Sequence, residues 1–338
     1  MFRNKLLFIS LIILGFTACK GDVSGLIPDA GGKPGEIVIV IDEQELKSKW
    51  VDSIRTYLSR PMPVLPQEEP YWKVFRSNSS HFQSLFRVHR NVVRFQINPQ
   101  QKEAAYKVEN NLYANGQVLV TVVAENSAEL LEYWAKVATD IEEILRKNDF
   151  KLLAKEYNKI VNRDAQKAIE EVIGLKVSIP KGYSLGIDTT DFVYYLNEGL
   201  RELKTDRGAF DGKIQRSLWF ATGEYTNENI FSREGALNVR DSIAQKYILG
   251  YKEGSYMLTE RLVPTDSLSI EFNGQRGFVQ RGLWRMSTEF KGGPFINIVS
   301  YNPDNQKWIM LEGFVYAPQF DKREYMLQVE GIIKSATK

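Results

Sequence analysis

The chain has 338 residues, with 44 Lys and Arg against 42 Asp and Glu. Its first 18 residues carry two basic side chains and no acidic one, so residues 19–338 are formally neutral, and this balance argues against nucleic acid as a partner. Two His and one Cys leave few side chains for a histidine, thiol or zinc site, and the length allows one large domain or two ordinary ones.

The amino terminus has the three-part pattern of a secretory signal. Arg3 and Lys5 precede an apolar run over residues 6–16, and two small residues stand before Cys19. As a helix, this run would span about 16 Å, which is well short of the roughly 30 Å hydrocarbon layer of a bilayer. We therefore predict a signal peptide over residues 1–18 rather than a permanent membrane span.

Cys19 stands where a lipoprotein signal would be cut, and the segment resembles a lipobox with Phe16 in place of the common Leu. It is the only cysteine, so no disulfide can form within the monomer. We predict acyl chains such as palmitate on Cys19 that hold the protein on a membrane; the alternative is a buried cysteine after an ordinary signal peptide.

Lys20 replaces the aspartate that often retains lipoproteins at an inner membrane, which favours the outer membrane and leaves the facing leaflet open. Residues 19–35 are predicted to be a flexible tether.

The predicted strands divide the rest of the chain into two halves, residues 36–174 and residues 175–338. The β-branched run at residues 36–41 indicates a strand buried on both faces, whereas the strands of the second half alternate as in an antiparallel sheet. The strands are predicted near residues 36–41, 72–76, 91–97, 117–124, 175–180, 213–222, 255–262, 268–273, 276–286, 294–302 and 307–316. We therefore predict an α+β fold of two packed halves, with a mixed sheet and helices in the first and a mainly antiparallel sheet with covering helices in the second.

Local signals place the helices. Asn126, with a Glu three residues on, predicts a helix start, and Gly174 predicts a helix end, at which we place the boundary between the halves. Similar capping-box patterns at Asp42 and Asp321 predict two more helix starts. A further helix is predicted near residues 232–249.

Seven short motifs recur in this order in one protein family. The chain resembles the lipoprotein family catalogued as domain of unknown function 4837, over nearly all of its predicted mature length. The resemblance implies a lipid-anchored protein of Gram-negative envelopes and carries no established activity, substrate or catalytic residue. The carboxyl-terminal strand and helix also look like small sandwich domains of the Mog1/PsbP type, which concerns the fold only. The motifs are Gly35-Glu-Ile-Val-Ile-Val40, Leu65-Pro-Gln-Glu-Glu-Pro70, His89-Arg-Asn91, Arg240-Asp-Ser242, Arg281-Gly-Leu-Trp-Arg285, Gly292-Gly-Pro-Phe295 and Glu312-Gly-Phe-Val-Tyr-Ala-Pro318.

No sequence pattern indicates catalysis or a cofactor. His81 and His89 are the only histidines, there is no Gly-x-Ser-x-Gly motif, and no third ligand stands at zinc spacing, so we predict neither catalytic residues nor a metal site. Glu68, next to Glu69 in a proline-rich loop, could act as an acid or base, but adjacent residues of an extended chain point to opposite sides. The alternative is a solvated loop end.

Five residues are candidates for ligand binding. Arg281 and Arg285 share one face of a predicted strand, and with His89 or Arg90 nearby they would form an anion-binding face. Glu68 is the fifth candidate. The alternative for the arginines is ion pairing with neighbours, for example with Glu312.

We predict a non-catalytic binding or scaffolding lipoprotein of the cell envelope. Its partners would be the membrane, through the lipid on Cys19, and an envelope protein or cell-wall glycan. The alternative is an envelope hydrolase whose site is assembled from distant residues, namely Glu68, His89 and Arg285. A set of aromatic residues is predicted to form either a platform for glycan or peptide or ordinary core packing. These residues are Trp72, Trp284, Trp308, Tyr301 and Tyr316.

Overall fold

A computed structural model describes residues 27–205 and 208–338. The first part of the chain forms β1 Glu36–Ile41, α1 Lys49–Leu58, β2 Lys73–Asn78, α2 Ser84–Arg87, β3 Asn91–Ile97, β4 Ala105–Asn110, β5 Val118–Ala124 and α3 Ser127–Lys159. The second part forms α4 Arg163–Ile173, β6 Ser184–Asp188, β7 Phe192–Thr205, β8 Gly208–Glu224, α5 Arg233–Tyr247, β9 Met257–Thr259, β10 Asp266–Phe272, β11 Gln275–Met286, β12 Gly292–Asn302, β13 Lys307–Tyr316 and α6 Arg323–Ile333.

The first sheet is mixed and has the strand order β2-β1-β3-β5-β4, with β4 as its antiparallel edge strand. The β-branched run of β1 is buried on both faces, because successive side chains point to opposite sides. Ile37 and Ile39 join the core under α1 and α3, whereas Val38 and Val40 pack with Phe82 on the other face.

The second sheet is antiparallel, with the strand order β10-β11-β12-β13-β8-β7-β6 and with β9 paired to β11. Helices α4 and α6 cover one face, where Ile169 and Val329 share a core with Leu311. Helix α5 covers part of the other face, where Leu237 packs with Phe295. The two sheets with their covering helices confirm the predicted α+β class.

The two halves pack through helices α3 and α6. Phe150 and Leu153 on α3 form an apolar cluster with Leu327 on α6 and with Met62 from the proline-rich loop. The boundary placed after Gly174 stays a prediction; helix α4, which precedes it, packs its apolar face on the second sheet.

Two local signals are confirmed and two are wrong. The Asn126 side chain accepts hydrogen bonds from the Ala128 and Glu129 amides, and Gly174 ends α4 with a left-handed φ of 71°. The Asp42 side chain caps no helix, and α1 begins only at Lys49. Asp321 does not cap α6 either.

The capping group of α6 comes from far away in the sequence. The buried Glu69 carboxylate accepts hydrogen bonds from the Lys322 and Arg323 amides at 2.6 and 2.8 Å. A carboxylate at this position satisfies amides that have no partner within the helix. The proline-rich loop therefore attaches the first half to the last helix.

Strands β4, β6 and β7 were not predicted, and the strand predicted at residues 175–180 is absent from the described elements. Strand β7 reads Phe-Val-Tyr-Tyr-Leu-Asn-Glu-Gly-Leu-Arg-Glu-Leu-Lys-Thr, and its polar outer end conceals the strand pattern. Its pairing with β8 over fourteen residue pairs supplies the hydrogen bonds that local propensity does not indicate.

The described part of the predicted tether is held against the fold. Ala30 donates to the Asn115 carbonyl, and Gly31 donates to the Val88 carbonyl and accepts from the Arg90 amide. Residues 1–18 and Cys19, which carry the signal and lipid predictions, lie outside the described residues. Among the described helices, none is both long and apolar enough to cross a membrane.

Candidate functional site

His89 and Arg90 lie buried at the edge of the first sheet where its parallel strands begin. Their neighbour Asp149, on α3, is fully buried and accepts hydrogen bonds from the Gly35 amide and the Asn91 side chain, both at 2.8 Å. Burial raises the pKa of Asp149 and lowers the pKa of His89. These contacts hold the amino-terminal segment on the sheet.

Glu68 is exposed in the proline-rich loop, while Glu69 beside it caps α6. Glu68 thus lies on a surface loop, whereas His89 is buried. The interpretation of both glutamates as a solvated loop end is correct for Glu68 and wrong for Glu69.

Arg281 lines a cleft of about 420 Å³ between the two halves. It donates to Glu330 on α6 at 2.6 Å, and Lys334 lies 3.1 Å from the same carboxylate. Although Glu330 is buried, Arg281 and Lys334 lower its pKa to about 2. Arg281 is therefore an ion-pairing residue at the junction of the halves.

Arg285 pairs with Glu260 at 3.3 Å and remains partly exposed. Neither arginine contacts Glu312, so the predicted partner is wrong, although ion pairing with neighbours is the arrangement found. The partner of Glu312 is Arg240 on α5, which donates to it through Nε and Nη2 at 2.9 and 2.8 Å. The structure thus distributes the five candidate residues over separate places instead of one anion-binding face.

The described surface has a different feature that sequence reasoning missed, a pocket of about 460 Å³ beyond the carboxyl end of α5. It opens on the face of the second sheet that α5 covers only in part. Its floor comes from strands β7, β8, β11 and β13, and its walls from the end of α5 and two loops. A volume of this size falls in the range of about 300–1,000 Å³ that is typical of small-molecule sites. We call it the aromatic pocket, and it is lined by Gly186, Ile187, Tyr194, Gln215, Tyr247, Ile248, Leu249, Gly250, Tyr251, Met257, Trp284, Met286, Glu289, Lys291 and Phe314.

The floor of the aromatic pocket is a cluster of rings. Trp284 meets Phe314 edge to face, with ring centroids 5.4 Å apart, and Phe314 stacks on Tyr194 at 6.2 Å. Trp284 also lies 6.3 Å from Tyr316, whereas Trp308, Tyr301 and Trp72 lie elsewhere in the fold. The predicted aromatic platform is therefore divided, and only part of it reaches the pocket.

Glycines at the start of β12 let the backbones approach under these rings. A Cβ on Gly293 would stand 2.1 Å from the Val315 carbonyl oxygen, and one on Gly292 would stand 2.6 Å from that of Trp284. Both residues lie in the strand. The Trp284 indole donates to the Val315 carbonyl at 3.3 Å, which fixes the ring on the floor.

Three polar side chains meet at one side of the aromatic pocket. The Tyr194 hydroxyl lies 3.0 Å from Ser217 Oγ, and the Gln215 amide donates to both at 3.2 and 3.0 Å. This network is largely buried, and burial raises the pKa of Tyr194. Since the hydroxyls remain protonated, they serve as hydrogen-bonding groups.

Lys291 gives the pocket a positive charge. Its ammonium lies 5.0 Å from the centre of the Tyr316 ring, and within the described residues it has no hydrogen bond and no ion pair. Burial, with a contribution from Lys213, lowers the pKa of Lys291. The nearby Glu289 is buried, and one of its oxygens accepts from the Lys252 amide at 3.2 Å. Lys291 is thus a half-buried cation without a fixed counter-ion.

The mouth of the aromatic pocket is apolar. Leu249 is 67% exposed and Tyr251 is 82% exposed, and both line the pocket. Phe290, next to Lys291 in sequence, is fully exposed. Contiguous exposed apolar groups of this kind mark binding sites. In residues 27–205 and 208–338 no cluster of three His, Cys, Asp or Glu side chains could hold a metal ion.

The fold and the pocket define a class, an α+β protein of two sheets with a preformed aromatic pocket on the second. The chain belongs to the family described as domain of unknown function (DUF4837), whose model matches residues 162–335. A second family of unknown function, DUF8532, matches residues 30–158. The three motifs up to residue 91 lie in this second range. The resemblance to DUF4837 was predicted over nearly the whole mature chain, and that extent was too large.

No curated protein matches the chain. Among solved structures, a mutant of the protein Mog1 matches at 9% identity over 49% of this chain and 92% of its own. Its TM-score is 0.29, which is too low to support the predicted likeness to Mog1/PsbP domains.

Proposed function

We propose that this protein is a lipid-anchored, non-catalytic binding protein of the bacterial envelope, and that the aromatic pocket is its binding site. The observation that carries the proposal is a preformed pocket that combines an aromatic floor with Lys291, a cation that forms no ion pair among the described residues. Apolar pockets with a few convergent polar groups and a perturbed pKa are typical of ligand sites.

The anchor rests on the amino-terminal sequence. Residues 1–18 have the composition of a signal peptide, and the single cysteine follows them directly. Lys20 favours the outer membrane over the inner one. We expect the wild-type protein in the membrane fraction of cells and the Cys19→Ala variant in the soluble periplasmic fraction. Equal membrane association of both would contradict the lipid anchor.

Binding in the pocket is tested by a matched pair of leucine substitutions. Leu249→Asp places a charge at the mouth, whereas Leu262→Asp changes a leucine that is 90% exposed and lines none of the clefts described above. Each protein would be purified from envelope membranes without denaturation, and its bound compounds would be identified by mass spectrometry. We expect a compound that accompanies the wild type and Leu262→Asp but not Leu249→Asp. The same compounds in all three samples, or none in any, would contradict the proposal.

A further inference from the structure

The chemistry of the aromatic pocket indicates which class of ligand it takes. Its lining includes Trp284, Phe314 and Met257, which are buried, apolar and part of one core cluster. A ligand that covers this floor removes apolar surface from water, which favours binding in proportion to the area covered. The inner part of the ligand is therefore apolar.

The charge in the pocket adds one polar requirement. Lys291 is half-buried, and its ammonium lies 5.0 Å from the centre of the Tyr316 ring. The carboxylates of Glu289 and Glu198 lie near enough to act on its charge, but among the described residues neither forms an ion pair with it. Lys213, which also lies near, is already paired with Glu198 at 2.7 Å. An anionic group that entered the pocket would meet the Lys291 ammonium without displacing an existing ion pair, and such charge-assisted hydrogen bonds are strong.

The remaining polar groups are engaged with one another. Gln215 donates to Tyr194 and Ser217, and these two hydroxyls lie within hydrogen-bonding distance of each other. A sugar presents many hydroxyls and needs many free partners, which this network does not offer. The exposed apolar mouth, formed by Leu249 and Tyr251, extends the apolar surface outward.

We propose that the aromatic pocket binds an amphiphile with a single anionic head group, the head group at Lys291 and the apolar part on the rings of Trp284 and Phe314. This inference rests on the proposed function, because it names the ligand class of the same site. It assigns different roles to Lys291 and Lys246. Lys291 contacts the ligand, whereas Lys246 on α5 pairs with Asp191 at 3.7 Å outside the pocket.

The test compares decyl phosphate with decanol, which has the same chain and no charge. Binding to the soluble mature chain would be measured by calorimetry below the concentration at which decyl phosphate forms micelles. We expect Lys291→Met to weaken binding of decyl phosphate by about tenfold, and Lys246→Met to leave it unchanged. Decanol should bind wild type and Lys291→Met equally, within about twofold. Methionine keeps the apolar stem of Lys291, so an unchanged melting temperature would show that the variant is folded.

Several results would overturn the inference. These are failure of decyl phosphate to bind, equal binding to wild type and Lys291→Met, or binding of decanol as tight as that of decyl phosphate. If a tetrasaccharide of N-acetylglucosamine binds instead, and Leu249→Asp abolishes that binding, the ligand class is wrong while the proposed function stands. If neither probe binds and no compound accompanies the protein from the envelope, both are wrong.

Discussion

On one face of the second sheet, a buried charged group is fully paired in one region, whereas a charged group in another region forms no ion pair. Under α5, Arg240 is completely buried, donates to Glu312 through two nitrogens, and also contacts Asp241 and Thr259. Beyond the carboxyl end of α5, Lys291 has no ion pair among the described residues.

The difference separates a structural role from a binding role. A buried charge is costly unless it is paired, and Arg240 meets this condition in full. Lys291 is only half-buried, so it can remain unpaired without destabilising the fold. Substitution under the helix should therefore change stability, and substitution in the aromatic pocket should change binding.

The largest effect is expected from Glu312→Gln. It removes the fully buried carboxylate that pairs with Arg240 through two nitrogens, and leaves Asp241 as the remaining ion-pair partner of the buried guanidinium. We expect the free energy of unfolding to fall by about 3–5 kcal/mol, measured by urea denaturation. A loss below about 1 kcal/mol would show that the pair does not stabilise α5 on the sheet.

Glu330→Gln extends the comparison to the opposite face of the sheet. The pKa of Glu330 is about 2 because Arg281 and Lys334 stabilise its anion, against an ordinary value of 4.5. Its contribution is therefore present above pH 4.5 and is lost as the pH falls toward 2. We expect Glu330→Gln to lower the free energy of unfolding by about 3 kcal/mol at pH 7 and by much less at pH 3, as measured by urea denaturation at each pH.

The control for Glu330 is Glu143→Gln, since Glu143 lies exposed on α3 and pairs with Lys147 on the surface. Exposed pairs contribute little, so this change should cost less than about 0.5 kcal/mol. An equal cost for both substitutions would mean that the junction of the halves adds nothing beyond a surface ion pair.

His89 provides a smaller effect that depends on pH. Burial lowers its pKa in the folded state below the usual 6.5, so the unfolded chain takes up a proton more readily. The contribution of neutral His89 is present above pH 6.5 and is lost as the pH falls below that value. Relative to His89→Gln, the wild type should therefore lose stability as the pH falls from 7 to 5.5. Parallel pH profiles in denaturation experiments would contradict this prediction.

The smallest effect on stability is expected from Lys291→Met. Among the described residues the Lys291 ammonium forms no hydrogen bond, so the substitution removes none, and methionine keeps the apolar stem. We expect a change in the free energy of unfolding within about 0.5 kcal/mol. A loss similar to that of Glu312→Gln would show that Lys291 supports the fold, and the distinction between the two regions would fail.

What the sequence predicts depends on how local each signal is. Asn126 and Gly174 act on their own helices, so their roles follow from neighbouring residues. Glu69, by contrast, caps a helix that begins more than 250 residues later, and no local pattern indicates this contact. The β-branched strands of the first sheet were predictable, whereas β7 owes its structure to its long pairing with β8.

The binding site was harder to predict for the same reason. Tyr194, Trp284 and Phe314 lie far apart in sequence and meet only when β7, β11 and β13 align. Of these, only Trp284 was singled out, as part of an aromatic set that the structure divides. The arginines were candidates because of their charge. Charge alone does not distinguish Arg281, which has an ion-pair partner, from Lys291, which has none among the described residues.

The central claim is that the aromatic pocket is where this protein binds its ligand. Hydrogen exchange, followed by mass spectrometry with and without a solvent extract of the same envelope, tests it most directly. We predict slower exchange in residues 247–256 and 284–291, which surround the pocket, and unchanged exchange around Arg281 and His89. Protection confined to the cleft between the halves, or to the edge of the first sheet, would contradict the claim.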